Sequence, residues 1–158
     1  MTTIELTFKN ISEIAGIDDI GLLMLTDKAN ERQIAIPCDR DQLRAFKLRL
    51  NKDANTKTLL PEVMRQATRW FLGRPMEVDI ARVNGGQYEA LLTAPELGMQ
   101  LPIKATDGIL LSLVSKGQVP VKAEKNLFRK QSTPYSEDCA GLSLPINTIS
   151  DKMLDKAL

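Results

Sequence analysis

One segment in the second half of the sequence carries the residues best suited to chemistry. It runs from Ile103 to Leu113 and places Thr106 and Asp107 where a strand is predicted to end and a helix to begin. A carboxylate at such a position could hold a metal ion or activate a water molecule. The same two side chains could instead cap the helix, whose first N–H groups have no partner within it. Both roles stay open, and Thr106 and Asp107 are the candidate catalytic pair.

The chain contains no histidine. Histidine is the commonest general acid–base residue and the commonest metal ligand. Its absence excludes Ser-His-Asp and Cys-His catalysis and any imidazole metal site. Catalysis would therefore have to use carboxylates, Lys, Tyr, Cys or a bound ion.

Basic side chains are concentrated in one part of a nearly neutral chain. The net charge is +1, but residues 40–74 carry nine basic and three acidic side chains, whereas residues 1–31 carry two basic and six acidic ones. Arg40, Arg44 and Lys47 share one face of a predicted helix. A basic face of this kind could attract a phosphate backbone, or it could simply be a solvated helix surface.

Three other residues have two possible roles each. Cys38 precedes a predicted helix, where its thiol pKa could be lowered, but without a histidine partner it is better explained as a small residue at a strand end. Trp70 and Phe71 could stack on bases, yet their helical spacing favours the core. The only other cysteine is Cys139, so reduced thiols in a cytosolic protein are expected.

Apolar periodicity predicts the elements that position these residues. Ile4, Leu6 and Phe8 alternate with polar residues, residues 20–37 form a predicted hairpin, and Asn84-Gly85-Gly86 predicts a second one. Pro102 predicts that its strand lies at an edge. Asp39 or Asp41 is expected to cap a helix that ends near Leu50. A further helix is expected from Thr58, its cap, to Gly73, with an apolar face directed to the core.

The order of these elements predicts an α+β domain. It has a mixed, largely antiparallel sheet with helices packed on one face in two layers. The domain is expected over residues 1–128, and residues 129–158 are expected to form a linker and a short amphipathic helix. We find no targeting segment and no apolar run long enough for a membrane helix, so a cytoplasmic protein without membrane association is expected.

The Ile103–Leu113 segment resembles the signature of the bifunctional nuclease family. Members carry an Arg-Pro-Ser-Asp-Ala-Ile-Ala-Leu-Ala-like stretch leading into a helix, followed by a short Pro-Ile/Val strand. The first six of those positions correspond to Lys104, Ala105, Thr106, Asp107, Gly108 and Ile109. Val119-Pro120-Val121 corresponds to the short strand, and Gly86-Gln87-Tyr88-Glu89-Ala90 to the family's Gly-x-Phe/Tyr-x-Ala strand. The resemblance covers about residues 1–128, and Ser150 to Leu158 are similar to the start of the UVR helix that follows in some bacterial relatives.

The resemblance implies hydrolysis of phosphodiester bonds in DNA or RNA. Such a reaction would use a divalent ion, and Mg²⁺ or Mn²⁺ suits oxygen ligands. The candidate metal ligands are Asp107, Asp39, Asp41 and Glu89. The candidate nucleic-acid-binding residues are Arg40, Arg44, Lys47 and Lys104. The chain departs from the family where Thr58-Leu59-Leu60 replaces a frequent Thr-His-Asp triplet and where Lys104-Ala105 replaces Arg-Pro.

A second function stays open beside the nuclease. The missing histidine, the low net charge and the apolar stripe within residues 149–158 favour a non-catalytic binding or oligomerisation module. Domains of this size with an exposed edge strand often pair through it, so a homodimer is the expected assembly.

Overall fold

Alternating and continuous apolar runs in the sequence give rise to the strands of one sheet. The computed structural model describes residues 2–13 and 20–135. The eight strands within those ranges are β1 (Thr3–Glu13), β2 (Gly21–Asp27), β3 (Arg32–Cys38), β4 (Glu77–Asn84), β5 (Gln87–Ala94), β6 (Met99–Lys104), β7 (Val121–Glu124) and β8 (Thr133–Pro134). Their order in the sheet is β6-β5-β4-β7-β1-β2-β3-β8. Of the neighbouring pairs only β4 and β7 are parallel, which confirms the α+β class and the mixed, largely antiparallel sheet.

The described residues also form four α-helices, and a 3₁₀ turn (Pro95–Leu97) precedes β6. They are α1 (Arg40–Leu50), α2 (Leu60–Phe71), α3 (Ala105–Val114) and α4 (Lys125–Gln131). Phe46 of α1, Ile109 of α3 and Phe128 of α4 are buried together with apolar residues of the sheet in one core. The helices that complete this core are therefore α1, α3 and α4.

The sheet curves around α3. This helix contacts β4, β5, β6 and β7 on one side of the strand order and also β3, which lies near the other end. Gly108 makes the close approach possible, because a Cβ added there would lie 2.6 Å from Cγ1 of Val78 on β4. The curvature brings the end of β3 near the start of β5, although four strands separate them in the sheet.

Local signals for turns and edges are confirmed. The β4–β5 hairpin turns at Gly85 and Gly86, which both have positive φ. Asp39 caps α1. β6, which contains Pro102, is an edge strand of the sheet.

The environment predicted for α2 was wrong. No residue of α2 is buried, and Trp70 and Phe71 are exposed instead of being in the core. The predicted cap was also misplaced, since the N-cap residue is Leu59 and no side chain caps the helix. The 3.6-residue period correctly identified an amphipathic helix. It could not identify which of its faces meets the body of the domain.

Secondary structure continues past the boundary predicted after residue 128. That boundary falls within α4, and β8 then pairs with β3 through Arg32 and Gln33. The helix predicted at 150–158 lies outside the described residues. Among the helices of the described part, none is long and apolar enough to cross a membrane.

Candidate nucleic-acid site

The first turn of α1 is fixed by a reciprocal pair of hydrogen bonds. The Asp39 carboxylate accepts a bond of 2.8 Å from the Gln42 N–H, and the Gln42 side-chain oxygen accepts one of 3.0 Å from the Asp39 N–H. This arrangement is a capping box, which satisfies donors that the helix cannot satisfy itself. Asp39, a predicted metal ligand, therefore also has a structural role at the helix start.

Gln42 extends this network to α3. Its side-chain Nε2 donates a hydrogen bond of 2.6 Å to Oγ1 of Thr106. Thr106 is buried, and buried hydroxyl groups are usually hydrogen-bonded, so Gln42 supplies a partner that this hydroxyl requires. The predicted catalytic residue Thr106 thus links the first turns of α1 and α3.

The N-terminus of α3 differs from the prediction. Neither Thr106 nor Asp107 is the cap, because β6 runs directly into the helix and Lys104 is the N-cap residue. No side chain caps α3. A helix N-terminus without a capping side chain presents N–H groups and a partial positive charge, which favour an anion. Lys104 adds a formal positive charge at the same point.

A cavity of about 110 Å³ lies where these two helix starts meet the sheet. The charged or hydrogen-bonding side chains that line it are Cys38, Asp39, Gln42, Gln87, Tyr88, Lys104 and Thr106. Three of the predicted site residues, Asp39, Lys104 and Thr106, are therefore brought together from separate parts of the chain. We call this cavity the α1–α3 pocket.

The other predicted residues lie outside the pocket lining. Arg40, Arg44 and Asp41 are exposed on α1, and Asp107 is exposed in the first turn of α3. Lys47 forms an ion pair with Glu13 of β1. Glu89 forms an ion pair with Arg82 across the β4–β5 hairpin, and it lies opposite Lys104 in the β5–β6 register.

The four predicted carboxylate ligands do not form a preformed metal site. Within the described ranges, no three His, Cys, Asp or Glu residues are grouped so that they could hold a metal ion. Glu89 is paired with a cation, and Asp39 is bonded to the start of α1. A divalent ion would therefore need further ligands from water or from a bound substrate.

Burial raises the pKa of two ionisable groups that line the pocket. It raises the pKa of the Cys38 thiol to about 11, although a hydrogen bond with the Gly21 backbone acts in the opposite direction. It also raises the pKa of the Tyr88 hydroxyl to about 12. A thiolate nucleophile is thus disfavoured, which supports the interpretation of Cys38 as a buried residue at a strand end.

The sequence-based site omitted Gln42. Its signal is present, since Asp39 followed three residues later by Gln42 is the spacing of a capping box. The bond from Gln42 to Thr106 has no such signal, because it joins residues that are distant in the sequence and that only the fold brings together.

Comparison with known proteins gives no assignment. A scan against models of protein families finds no match, and a search of curated proteins finds no similar chain. The likeness to bifunctional nucleases remains a prediction from the motifs quoted above.

Proposed function

We propose that this chain is a nuclease-type domain that binds a backbone phosphate of DNA or RNA at the α1–α3 pocket and hydrolyses a phosphodiester bond there. The observation that carries the proposal is the convergence of Asp39, Lys104 and Thr106 on one polar cavity. The three residues come from distant parts of the sequence. Their assembly supports the idea that they act together.

The charge around the pocket supports phosphate as the ligand. Lys104 lines the cavity at the N-terminus of α3, where N–H groups and the helix dipole favour an anion. Arg44 is exposed on the adjoining helix α1 and offers a further contact along a nucleic-acid backbone. Phosphate contacts of this kind position a nucleic acid without reading its sequence. We therefore propose low sequence specificity.

Two carboxylates at or next to the pocket are candidate ligands for a divalent ion. Mg²⁺ is commonly held by only one or two carboxylates together with substrate phosphates, and Mn²⁺ accepts similar oxygen ligands. Asp39 lines the pocket, and Asp107 follows the pocket residue Thr106 directly. We propose that these two carboxylates contribute to ion binding only when nucleic acid is present, so that metal affinity depends on substrate.

The test is degradation and binding of labelled single- and double-stranded DNA and RNA by the purified protein, with EDTA, Mg²⁺ or Mn²⁺. Lys104→Met is the informative variant because it removes one charge from the pocket. Lys116→Met is the matched control, because Lys116 is exposed just beyond the opposite end of α3. The proposal requires weaker binding for Lys104→Met only.

A second candidate is a non-catalytic binding or oligomerisation module, with a homodimer as its assembly. The observation that favours it is the exposure of the apolar side chains of α2. Binding of nucleic acid without hydrolysis under any metal condition would favour a binding module over the nuclease.

A further inference from the structure

The apolar face of α2 is directed away from the domain. The residues that form this face recur at helical spacing and are Leu60, Val63, Met64, Ala67, Trp70 and Phe71. Trp70 is 72% exposed and Phe71 87% exposed. Burial of large apolar side chains is a main source of stability, so a helix that exposes such a face leaves that contribution available to a partner.

Polar contacts on the other side of α2 fix this orientation. Glu62 forms an ion pair of 2.9 Å with Arg49 of α1, and both side chains are largely buried. Arg65 donates a hydrogen bond of 3.0 Å to Gln118, beyond the end of α3. Rotation of α2 that buried Trp70 would break these contacts. The outward orientation of the apolar face is therefore maintained by specific polar contacts of α2 with the rest of the domain.

Two further exposed apolar side chains lie on β6, whose preceding segment is linked by an ion pair to the segment after α2. Met99 and Leu101 are half exposed. They lie on the same face of the sheet as Ile103, which packs against the core, and α3 lies on that side of the sheet. α2 packs on α3. Arg74, just after α2, forms an ion pair of 3.4 Å with Glu96, just before β6. We call Met99, Leu101 and the apolar face of α2 the α2–β6 surface.

The size of this surface indicates a macromolecular partner. Since a fully exposed aromatic side chain presents about 150–250 Å², Trp70 and Phe71 alone leave roughly 300 Å² exposed. The largest apolar patch of a monomer is typically about 300–600 Å² in total. Leu60, Val63 and Met64 add to it, so that the surface reaches the upper part of this range, where such a patch often marks an interaction site.

We propose that a second copy of this chain covers the α2–β6 surface, with the two α2 helices packed antiparallel about a two-fold axis. Five residues of this face, Val63, Met64, Ala67, Trp70 and Phe71, are spaced symmetrically about Ala67. Antiparallel packing about that position sets Val63 of one copy beside Phe71 of the other and Met64 beside Trp70, and it brings the small Ala67 residues to the centre, where helices can approach closely. An isologous contact requires such self-complementarity. The net charge of +1 gives little repulsion between copies.

This inference is independent of the phosphate site, and it gives the oligomerisation candidate a defined surface. Trp70 provides a direct probe, because it is the only tryptophan of the chain. The experiment measures sedimentation and Trp70 fluorescence of the full chain over a wide concentration range. Met64→Glu places a charge in the apolar face, and Gln66→Glu places the same charge on the same helix outside that face. Circular dichroism checks that both variants are folded.

The expected result is a dimer whose Trp70 emission shifts to shorter wavelength as concentration rises. Met64→Glu should raise the dissociation constant by roughly 30-fold or more, as for loss of an interface hot spot, and Gln66→Glu should leave it unchanged. A wild-type monomer at every concentration would overturn the dimer. If the Trp70 emission of that monomer is already at short wavelength, another part of the same chain would be the segment that covers the α2–β6 surface. A dimer equally stable in Met64→Glu would overturn this surface alone.

Discussion

Nε2 of Gln42 lies 2.6 Å from Oγ1 of Thr106, and the hydrogen bond between them joins the first turn of α1 to the first turn of α3. The same Gln42 side chain completes the capping box with Asp39. One glutamine thus holds together two helix starts that line the α1–α3 pocket. The geometry of the proposed site depends on it.

Gln42→Ala should destabilise the protein. The change leaves the buried hydroxyl of Thr106 without this partner and removes half of the capping box, so we expect the free energy of unfolding to fall by about 1–3 kcal/mol. Urea denaturation measures the change. Gln66→Ala, at an exposed position of α2, is the control and should change the stability by less than about 0.5 kcal/mol. Equal effects of the two substitutions would refute the link between α1 and α3.

Gly108→Ala tests the close approach of α3 to β4. A Cβ at this position would lie 2.6 Å from Cγ1 of Val78, which is fully buried. Overpacking of this kind costs about 1–3 kcal/mol, more than the roughly 0.5–1 kcal/mol that Ala gains over Gly in a helix. We expect a net loss of stability in urea denaturation.

Val78→Ala provides the matching control for that prediction. It removes the two methyl groups that the new Cβ would meet. The double variant should be more stable than the sum of the two single effects predicts, because the residues compete for one space. Additive effects would show that α3 does not press on Val78.

Asp79→Asn should stabilise the protein at neutral pH. Burial and the neighbouring Glu77 raise the pKa of the Asp79 carboxyl, and its Oδ1 is a buried atom without a hydrogen-bond partner in the described part of the chain. The folded state therefore binds this proton more tightly than the unfolded state. The contribution of Asp79 to the free energy of unfolding therefore falls as pH rises from the ordinary aspartate pKa through the raised pKa. Above the raised pKa this destabilisation stays constant.

Urea denaturation at two pH values measures this effect. The advantage of Asp79→Asn should be present at about pH 7 and absent at about pH 3, where the wild-type carboxyl is protonated. Asp53→Asn, at an exposed loop position, serves as the control. A stabilisation that grows towards acid pH would have the wrong sign for this explanation.

Local signals in the sequence predicted most of the secondary structure. Alternation in Ile4, Leu6 and Phe8, the glycine pair at 85 and 86, and the cap at Asp39 each depend on residues close in sequence, and each is confirmed. The orientation of α2 depends on an ion pair with Arg49 and a hydrogen bond with Gln118, which no local pattern encodes.

Only part of the candidate site was predictable from the sequence. Residue type and motif predict Asp39, Lys104 and Thr106, which the structure brings to one pocket, but they do not predict Gln42, and they include Asp107, which lies outside the pocket lining. That proximity results from the curvature of the sheet, which is a property of all its strands. The position of the α3 cap was missed because β6 runs into the helix without the loop that capping motifs presuppose.

The most direct test of the proposed function is hydrolysis of labelled single-stranded DNA and RNA by the wild type, Lys104→Met and Lys116→Met, measured with and without Mn²⁺. We predict metal-dependent cleavage by the wild type and by Lys116→Met. For Lys104→Met we predict weaker binding, with the slope of log affinity against log salt reduced by about one. Absence of both binding and cleavage in the wild type, or identical behaviour of the two lysine variants, would contradict a phosphate site at the α1–α3 pocket.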